Sequence, residues 1–572
     1  MIAAPHPVGG PMGLAGLAAT VVLAAACSRA CAVDAAVLAA EQSRVEAVAR
    51  GVAAAVSIFA GDSGGGSGVL LTPDGYAATN FHVVQPAGPW LTCGLADGRL
   101  YDAVLVGVDP TGDLALIKLL GRDDFPHAVL ADSDTVEPGD FCFAVGNPFL
   151  LATDLVPTVT AGIVSGVQRY QFPAGTILEY TAALQVDLAI NPGNSGGGLF
   201  DAEARLIGVN GRASFEKRGR VNVGAAYAIS ANQVRNFLGC LRSGRVCDHA
   251  TLGATVATAI DGRVVVSEIL EASDAWRRGL RHDDEIVSLA GRPVRTVNGF
   301  KNLLGTLPAG WQVPLAYRRD GVEQEMLVRL GGVHPAATLA ALAAGGDAAE
   351  AAETGPGSPP PDGIRRLVDP RPGYANHHFA VVERDRVAAA LAAFRDHRPP
   401  GPWVLAGTLD GGGEFRIELT DAAASIDLPT GTSTIDAGDE FDRLPVPPGS
   451  GGLLPALVLW RRLVIEGPAA VGRTSYWGTS PRNPATFRLG GAADLVDVLE
   501  TYTAGVEARF SVDEVGRVVG IDLWTDADAD PCEVRLTWPS GPARAPQAIA
   551  VSRRGQPFAT FLLAPARTEG LP

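Results

Sequence analysis

From Ala53 to about Asn236, short β-branched or apolar runs alternate with clusters of Gly, Pro, Asp and Asn, and no other feature limits the fold as much. Gly68 to Leu71, Ala103 to Val108, Leu114 to Leu119, Phe141 to Val145, Thr158 to Val164, Arg205 to Val209 and Ala225 to Ile229 each read as a strand. So many short strands between turn signals predict an all-β barrel or sandwich. Helical spacing over Ala231 to Leu241 then closes the domain.

A chain of 572 residues is too long for one hydrophobic core. Leu252 to Leu330 reads as a second, small α/β unit with strands around "SDAWRRGLRHDDEIVSLAGRPV" and a helix over Val297 to Leu304. From Gly331 to Gly363 the composition collapses to Ala, Gly, Pro and Glu, which buries too little side chain to fold alone and predicts a linker. Beyond it, Ile364 to Pro572 predicts an α+β domain with an antiparallel sheet. Its helices are expected at Asp385 to Phe394 and Ala492 to Thr501, a strand at Phe415 to Leu419 and a hairpin across Val506 to Trp524. The expectation is thus a multidomain, mainly β chain: an N-terminal segment 33–49, a first domain 50–243, a second 250–332, a linker 333–363 and a C-terminal domain 364–572. A formal charge of −16 with no Lys/Arg-rich run argues against a nucleic-acid partner.

The apolar run Met12 to Ala26, followed by Ala30-Cys31-Ala32, reads as a signal peptide over residues 1–32, cleaved before Val33. The sequence leaves open lipidation at Cys27 or retention as an anchor. Export to the periplasm, cell envelope or medium is expected in each case. Of the remaining cysteines, Cys240 and Cys247 are the most plausible pair; Cys93 and Cys142 sit inside apolar strand-like runs, as buried small hydrophobes do.

"NPGNSGGGLF", Asn191 to Phe200, packs glycines around Ser195. Such glycines allow a tight turn that aims the N–H groups of Gly193 and Ser195 at one point, as an oxyanion requires. An activated serine also needs a base and a carboxylate to orient it. In this domain the base is His82, in "YAATNFHVV", or His127, in "DDFPHAVL", where a structural histidine is the better reading; the carboxylate candidate is Asp113, in "DPTGDLALIKLL".

Taken in order, "GSGVLLTPDGYAATNFHVV", "GVDPTGDLALIKL", "FAVGNPF", "TVTAGIVSG" and "QVDLAINPGNSGGGLFD" resemble the trypsin-like serine proteases of the HtrA/DegP family. The resemblance implies a double six-stranded β-barrel, with His82 as general base and acid, Asp113 as its partner and Ser195 as nucleophile. Gly193 and Ser195 become the oxyanion hole, with Asn194 shaping that loop. It also implies a substrate pocket at Ala189, Ile190, Arg212 and Ala213, with no acid to hold an Arg or Lys side chain. Leu252 to Leu330 resembles the PDZ domain of the same family, in which Thr251, Leu252 and Gly253 occupy the loop that captures a peptide's C-terminal carboxylate.

The implied function is an exported endopeptidase of unfolded or damaged proteins, working through an acyl-enzyme and without a cofactor or metal. The PDZ groove would take C-terminal peptides, and the family suggests a homotrimer. The alternative is a chaperone-like or partner-binding protein with a resting or silent protease site. No family resemblance is identified for the C-terminal domain; a tether to an envelope component is one role considered for it. Asp526, Asp528 and Asp530 have calcium-loop spacing, but Pro531 takes the glycine position, so a solvated acidic turn is expected. His377-His378 is a weak metal signal, since adjacent side chains diverge in a strand.

Overall fold

The computed structural model describes residues 34–564, apart from 60–64, 148–154, 173–176, 216–221, 344–361, 396–400, 444, 491–493, 527–529, 542 and 544. The signal-peptide reading, Cys27 and Asp528 lie outside the described residues, as do the side chains of Arg212 and Ala213. Among the described residues no helix is long and apolar enough to cross a membrane.

A helix, Ala35–Ala54, leads into the first barrel. Its strands are β1 (Ala55–Phe59), β2 (Gly65–Leu70), β3 (Tyr76–Thr79), β4 (Trp90–Leu95), β5 (Leu100–Asp109) and β6 (Leu114–Leu119), closed in the order β1-β2-β3-β6-β5-β4. Closure leaves no edge, and the inward positions Ile58, Leu70, Ala77, Leu91, Cys93, Ala115 and Ile117 fill the interior. The turn "TPDG" between β2 and β3 closes through Gly75 N–H to Thr72 O at 3.1 Å, with Gly75 at φ +100°.

The second barrel comprises β7 (Val129–Leu130), β8 (Phe141–Gly146), β9 (Thr158–Gln171), β10 (Tyr180–Val186), β11 (Gly198–Phe200), β12 (Arg205–Phe215) and β13 (Asn222–Ser230). The ring β11-β8-β9-β10-β13-β12 closes when β12 pairs back to β11, and β7 adds to β12 in parallel. Every run read as a strand in this part of the sequence falls on one of these elements, Leu71 alone lying one residue past the end of β2. The Ala231–Arg242 helix follows, capped by Ser230, whose hydroxyl accepts from Gln233 N–H. It lies so close to β5 that a Cβ on Gly107 would come 2.1 Å from Leu241 O, which only glycine tolerates. Phe237 and Leu241 join Val69, Tyr76, Phe143 and Phe200 in the apolar layer between the barrels.

A disulfide joins Cys240, in the last turn of this helix, to Cys247 just beyond it, whereas Cys93, Cys142 and Cys532 are free and buried. The chain then enters a six-stranded sheet in which Ala254–Thr258, Val264–Ile269, Glu285–Leu289, Gln312–Arg319 and Val322–Arg329 follow in order, Ala254–Thr258 lies at the edge and short Arg292–Pro293 pairs with Glu285–Leu289. The Val297–Gly305 helix, capped by Thr296, packs against β9 and β10 of the second barrel.

The segment expected to be a linker contributes structure at its start: Gly331–Gly332 pairs with Ala250–Thr251, and Ala336–Ala343 is helical. Alanine and leucine are strong helix formers, so this run needs little burial to coil. The C-terminal domain is an eleven-stranded antiparallel sheet running from Gly431–Asp436 at one edge to Arg473–Pro481 at the other. The Leu453–Glu466 helix is buried almost all round against it, with Trp460 1% exposed. Two readings of this region need correcting. Ala492 to Thr501 is not a helix, because Leu495–Thr503 is a strand; "LVDVLETYT" alternates with period two through Val496 and Val498. His377 and His378 lie on the His377–Arg395 helix and not in a strand, and His377 Nδ1 sits 2.9 Å from Asp369 Oδ2.

Nor does the last domain stand apart. Phe487 and Leu489 enter the core of the preceding small domain, and Trp311 Nε1 donates to Thr479 O at 2.7 Å. Arg278 and Arg329 of the small domain meet Glu533 and Asp522 of the sheet at 2.7 and 2.8 Å. Asp530, the last aspartate of the suspected calcium loop, is taken by Arg277 and Arg554, and among the described residues no cluster of three ligating side chains exists.

Candidate active site

The Phe81–Val84 helix, one turn long, carries His82 into the cleft between the barrels. Its first N–H groups need acceptors. Asp113 O supplies one, accepting from Phe81 N–H at 3.2 Å and from the buried Asn80 Nδ2 at 3.0 Å. Asp113 itself sits at φ +58°, a conformation aspartate tolerates better than most residues, and this turns its carboxylate back over the helix. There Asp113 Oδ1 accepts from His82 N–H at 3.1 Å, and both carboxylate oxygens lie 2.9 Å from His82 Nδ1.

This pairing fixes the tautomer, with the proton on Nδ1 and a lone pair left on Nε2. Burial disfavours the imidazolium, but the hydrogen bond and charge of Asp113 outweigh it and hold the His82 pKa above its ordinary value. Asp113 is 1% exposed, while the His82 side chain is half exposed and open to a substrate.

Ser195 follows a turn in which Asn194 N–H donates to Asn191 O at 3.0 Å. With Pro192 second and Gly193 third at φ +102°, the turn is type II, which demands glycine there. The loop is pinned from below by Ser67, fully buried in β2, whose hydroxyl donates to Gly193 O at 2.6 Å and accepts from Asn147 N–H at 2.9 Å. Backbone bonds from Ser67 N–H to Ser195 O, 2.9 Å, and from Gly196 N–H to Asn210 O, 2.7 Å, complete the support. Among the described residues neither the Gly193 nor the Ser195 N–H has an acceptor. Asn194 spends its own N–H on the turn and buries its side chain beneath Gly146, so it shapes the loop.

The Ser195 hydroxyl is rotated towards Gly211 O, at 3.5 Å, and does not hydrogen-bond His82. Of the pocket residues, Ala189 is exposed with its carbonyl accepting from Thr160 Oγ1 at 3.0 Å, and Ile190 is 1% exposed in the second-barrel core. His127 lies outside the site, with Nδ1 3.2 Å from Phe125 O. In the small domain, Thr251 Oγ1 accepts from Gly253 N–H at 3.1 Å, while the Leu252 N–H has no acceptor among the described residues. Ser67 and Tyr180, whose hydroxyl donates to Asp113 Oδ2 at 2.7 Å, escaped the sequence reading. The one hint of the latter is a lone phenol in a strand of small residues, "YTAALQV".

The two closed barrels define a trypsin-like domain, and a small α/β domain follows it. A trypsin-like peptidase domain model matches residues 66–209 and a PDZ domain model matches residues 250–330. The periplasmic serine endoprotease DegP of Escherichia coli K12 is 36% identical over 277 residues, covering 46% of this chain and 56% of that protein. A probable periplasmic serine endoprotease, DegP-like, from Chlamydia muridarum is 32% identical over 268 residues, 45% of this chain and 52% of that protein. Among solved structures, the HtrA-type protease AlgW with tripeptide is 30% identical, covers 51% of this chain and 98% of that one, and superposes with a TM-score of 0.42. The chain spans about half the length of the curated relatives it matches. From residue 66 to residue 330 the chain is thus similar to HtrA/DegP-like serine proteases that carry a PDZ domain.

Proposed function

We propose that the chain is an exported, periplasmic serine endopeptidase that cleaves unfolded or damaged proteins. The observation that carries this reading is the His82–Asp113 pair at 2.9 Å together with a loop whose Gly193 and Ser195 N–H groups have no acceptor among the described residues. In the first step Ser195 Oγ attacks the scissile carbonyl, and its proton passes to His82 Nε2. Asp113 stabilises the imidazolium, and the two N–H groups receive the oxyanion. His82 then protonates the leaving amine, and the acyl-enzyme is released by a water that His82 deprotonates. Ala189 and Ile190, with Arg212 and Ala213 opposite, would form the specificity pocket.

The free edge at Ala254–Thr258 suits an added peptide strand, with the Thr251–Gly253 loop taking its C-terminal carboxylate. Trimeric assembly is part of the same proposal.

One observation favours a second reading, a chaperone-like or partner-binding protein whose protease site rests. The Ser195 hydroxyl points to Gly211 O and away from His82. Rotation about one side-chain bond would bring it back, and catalytic hydrogen bonds are often long or misaligned before substrate binds. Degradation of an unfolded model protein by the purified chain and by Ser195→Ala decides between them. Activity lost in the variant supports the peptidase; no cleavage by either protein supports the resting reading; cleavage by both removes Ser195 from the mechanism.

A further inference from the structure

We propose that Tyr180 is a positioning residue for the His82–Asp113 pair, a phenol donor that fixes the carboxylate throughout the reaction. The inference rests on the peptidase reading above. Asp113 Oδ1 is occupied by the backbone and imidazole of His82, and without a further donor Oδ2 would be held by the imidazole alone. Tyr180 Oη fills that place at 2.7 Å from a side chain 2% exposed. Its ring lies against Gly211, where a Cβ would come 2.5 Å from Tyr180 Oη; glycine at 211 is what admits the phenol. The same Gly211 offers the carbonyl towards which Ser195 is turned.

The donor is held from both sides. Glu179 N–H bonds Thr111 O at 2.8 Å, stapling the start of β10 to the loop that ends in Asp113. Two residues further on, β10 bulges at Ala182, φ +45°, whose N–H donates to Asn302 Oδ1 at 2.8 Å; Asn302 Nδ2 in turn donates to Gln168 O at 2.8 Å. Asn302 belongs to the Val297–Gly305 helix of the PDZ domain, so a residue of that domain secures the strand that aims Tyr180.

Tyr180 keeps its proton in every step; only the Ser195 proton moves, to His82 and onward. A hydroxyl dipole aimed at Oδ2 does two things. It prevents the carboxylate from rotating away from Nδ1, and it draws off part of the negative charge that would otherwise bind the imidazolium proton more tightly. Asp113 is the charge that acts on His82; on the adjoining elements the charged groups include Glu179, next to Tyr180 in sequence, and the buried Asp109–His249 pair at the far end of the 109–113 loop.

The test compares the wild type, Tyr180→Phe and Ser195→Ala on an unfolded model protein, with kcat/KM followed against pH. A lost hydrogen bond to a charged group predicts that Tyr180→Phe cleaves about tenfold more slowly at its optimum. Its acid limb should move up, because the imidazolium is then favoured, by about half a pH unit or more. A merely structural tyrosine would lower the rate without moving that limb.

If Ser195→Ala is inactive while Tyr180→Phe keeps the wild-type rate and limb, the proposal fails and the peptidase reading stands. If Ser195→Ala cleaves as well as wild type, both fail. Should Tyr180→Phe not fold, Gly211→Ala, which pushes the phenol off Asp113, carries the same test: the limb must move up, and an unmoved limb overturns the proposal.

Discussion

Truncating Arg278 should loosen the C-terminal sheet from the PDZ domain. Arg278 is 1% exposed and lies 2.7 Å from both Asp274, within its own domain, and Glu533, across the interface. Glu533 also accepts from Gln312 at 2.7 Å and Ser552 at 3.2 Å, with Arg329 at 3.5 Å. Removing one member of a buried ion pair typically costs 3–5 kcal/mol, most of it for the charge left behind, and the partners Glu533 retains place Arg278→Ala at about 3 kcal/mol. That is roughly a hundredfold in the equilibrium between docked and undocked domains.

Native-state hydrogen exchange reads this directly in the strands beside the pair, Gln312–Arg319 and Cys532–Thr537. In Arg278→Ala their amides should exchange about a hundredfold faster wherever undocking is the route to solvent, while those of β6 in the first barrel keep their wild-type rates. Exchange within about threefold of wild type in both interface strands would show that the pair does not hold the domains together.

On the proposed peptidase reading, the pH dependence of cleavage follows from His82. Because Asp113 raises its pKa, the imidazole stays protonated, and unable to accept the Ser195 proton, to a pH above the ordinary histidine range; the acid limb of kcat/KM should lie above about 6.5, and Asp113→Asn should bring it down while reducing kcat. A second histidine bears on stability. His249 is 1% exposed with Nε2 2.9 Å from the fully buried Asp109, whose charge raises the His249 pKa against the opposing effect of burial. A raised folded pKa contributes stability that is complete below the unfolded value and lost as pH rises through the folded one. His249→Ala should therefore cost about 3 kcal/mol in denaturant unfolding at pH 6, with the gap from wild type narrowing as pH is raised.

The barrels could be read from the sequence because their information is local. A strand such as "LALIKL" and a turn such as "TPDG" carry their own signal in a few residues, and the glycines at 193 and 196 mark backbone that other residues resist. The approach of His82 to Asp113 could be anticipated for the same reason, each lying within a recognisable segment. The contacts of Ser67 and Tyr180 could not. Ser67 reaches Gly193 across 126 positions and Tyr180 reaches Asp113 across 67, and a hydroxyl that acts at such separations leaves no periodicity or spacing around itself. Leu495–Thr503 was missed for a different reason: two alanines precede an alternating run that is also compatible with a helix until its sheet neighbours decide.

The docking of the C-terminal domain shows the limit most sharply. "SDAWRRGLRHDDE" reads only as part of the small domain, and by composition the stretch after Gly331 separates whatever follows it. Yet Arg277 and Arg278 find Asp530 and Glu533 more than 250 positions away, and Phe487 and Leu489 complete the PDZ core. The PDZ domain is thereby held on two sides, by Asn302 against the barrel strand that carries Tyr180 and by the arginines against the sheet. Any peptide that shifts this domain must work against both attachments. If a peptide binds the proposed groove, the ion pairs with Glu533 and Asp522 therefore set part of the cost of moving the domain.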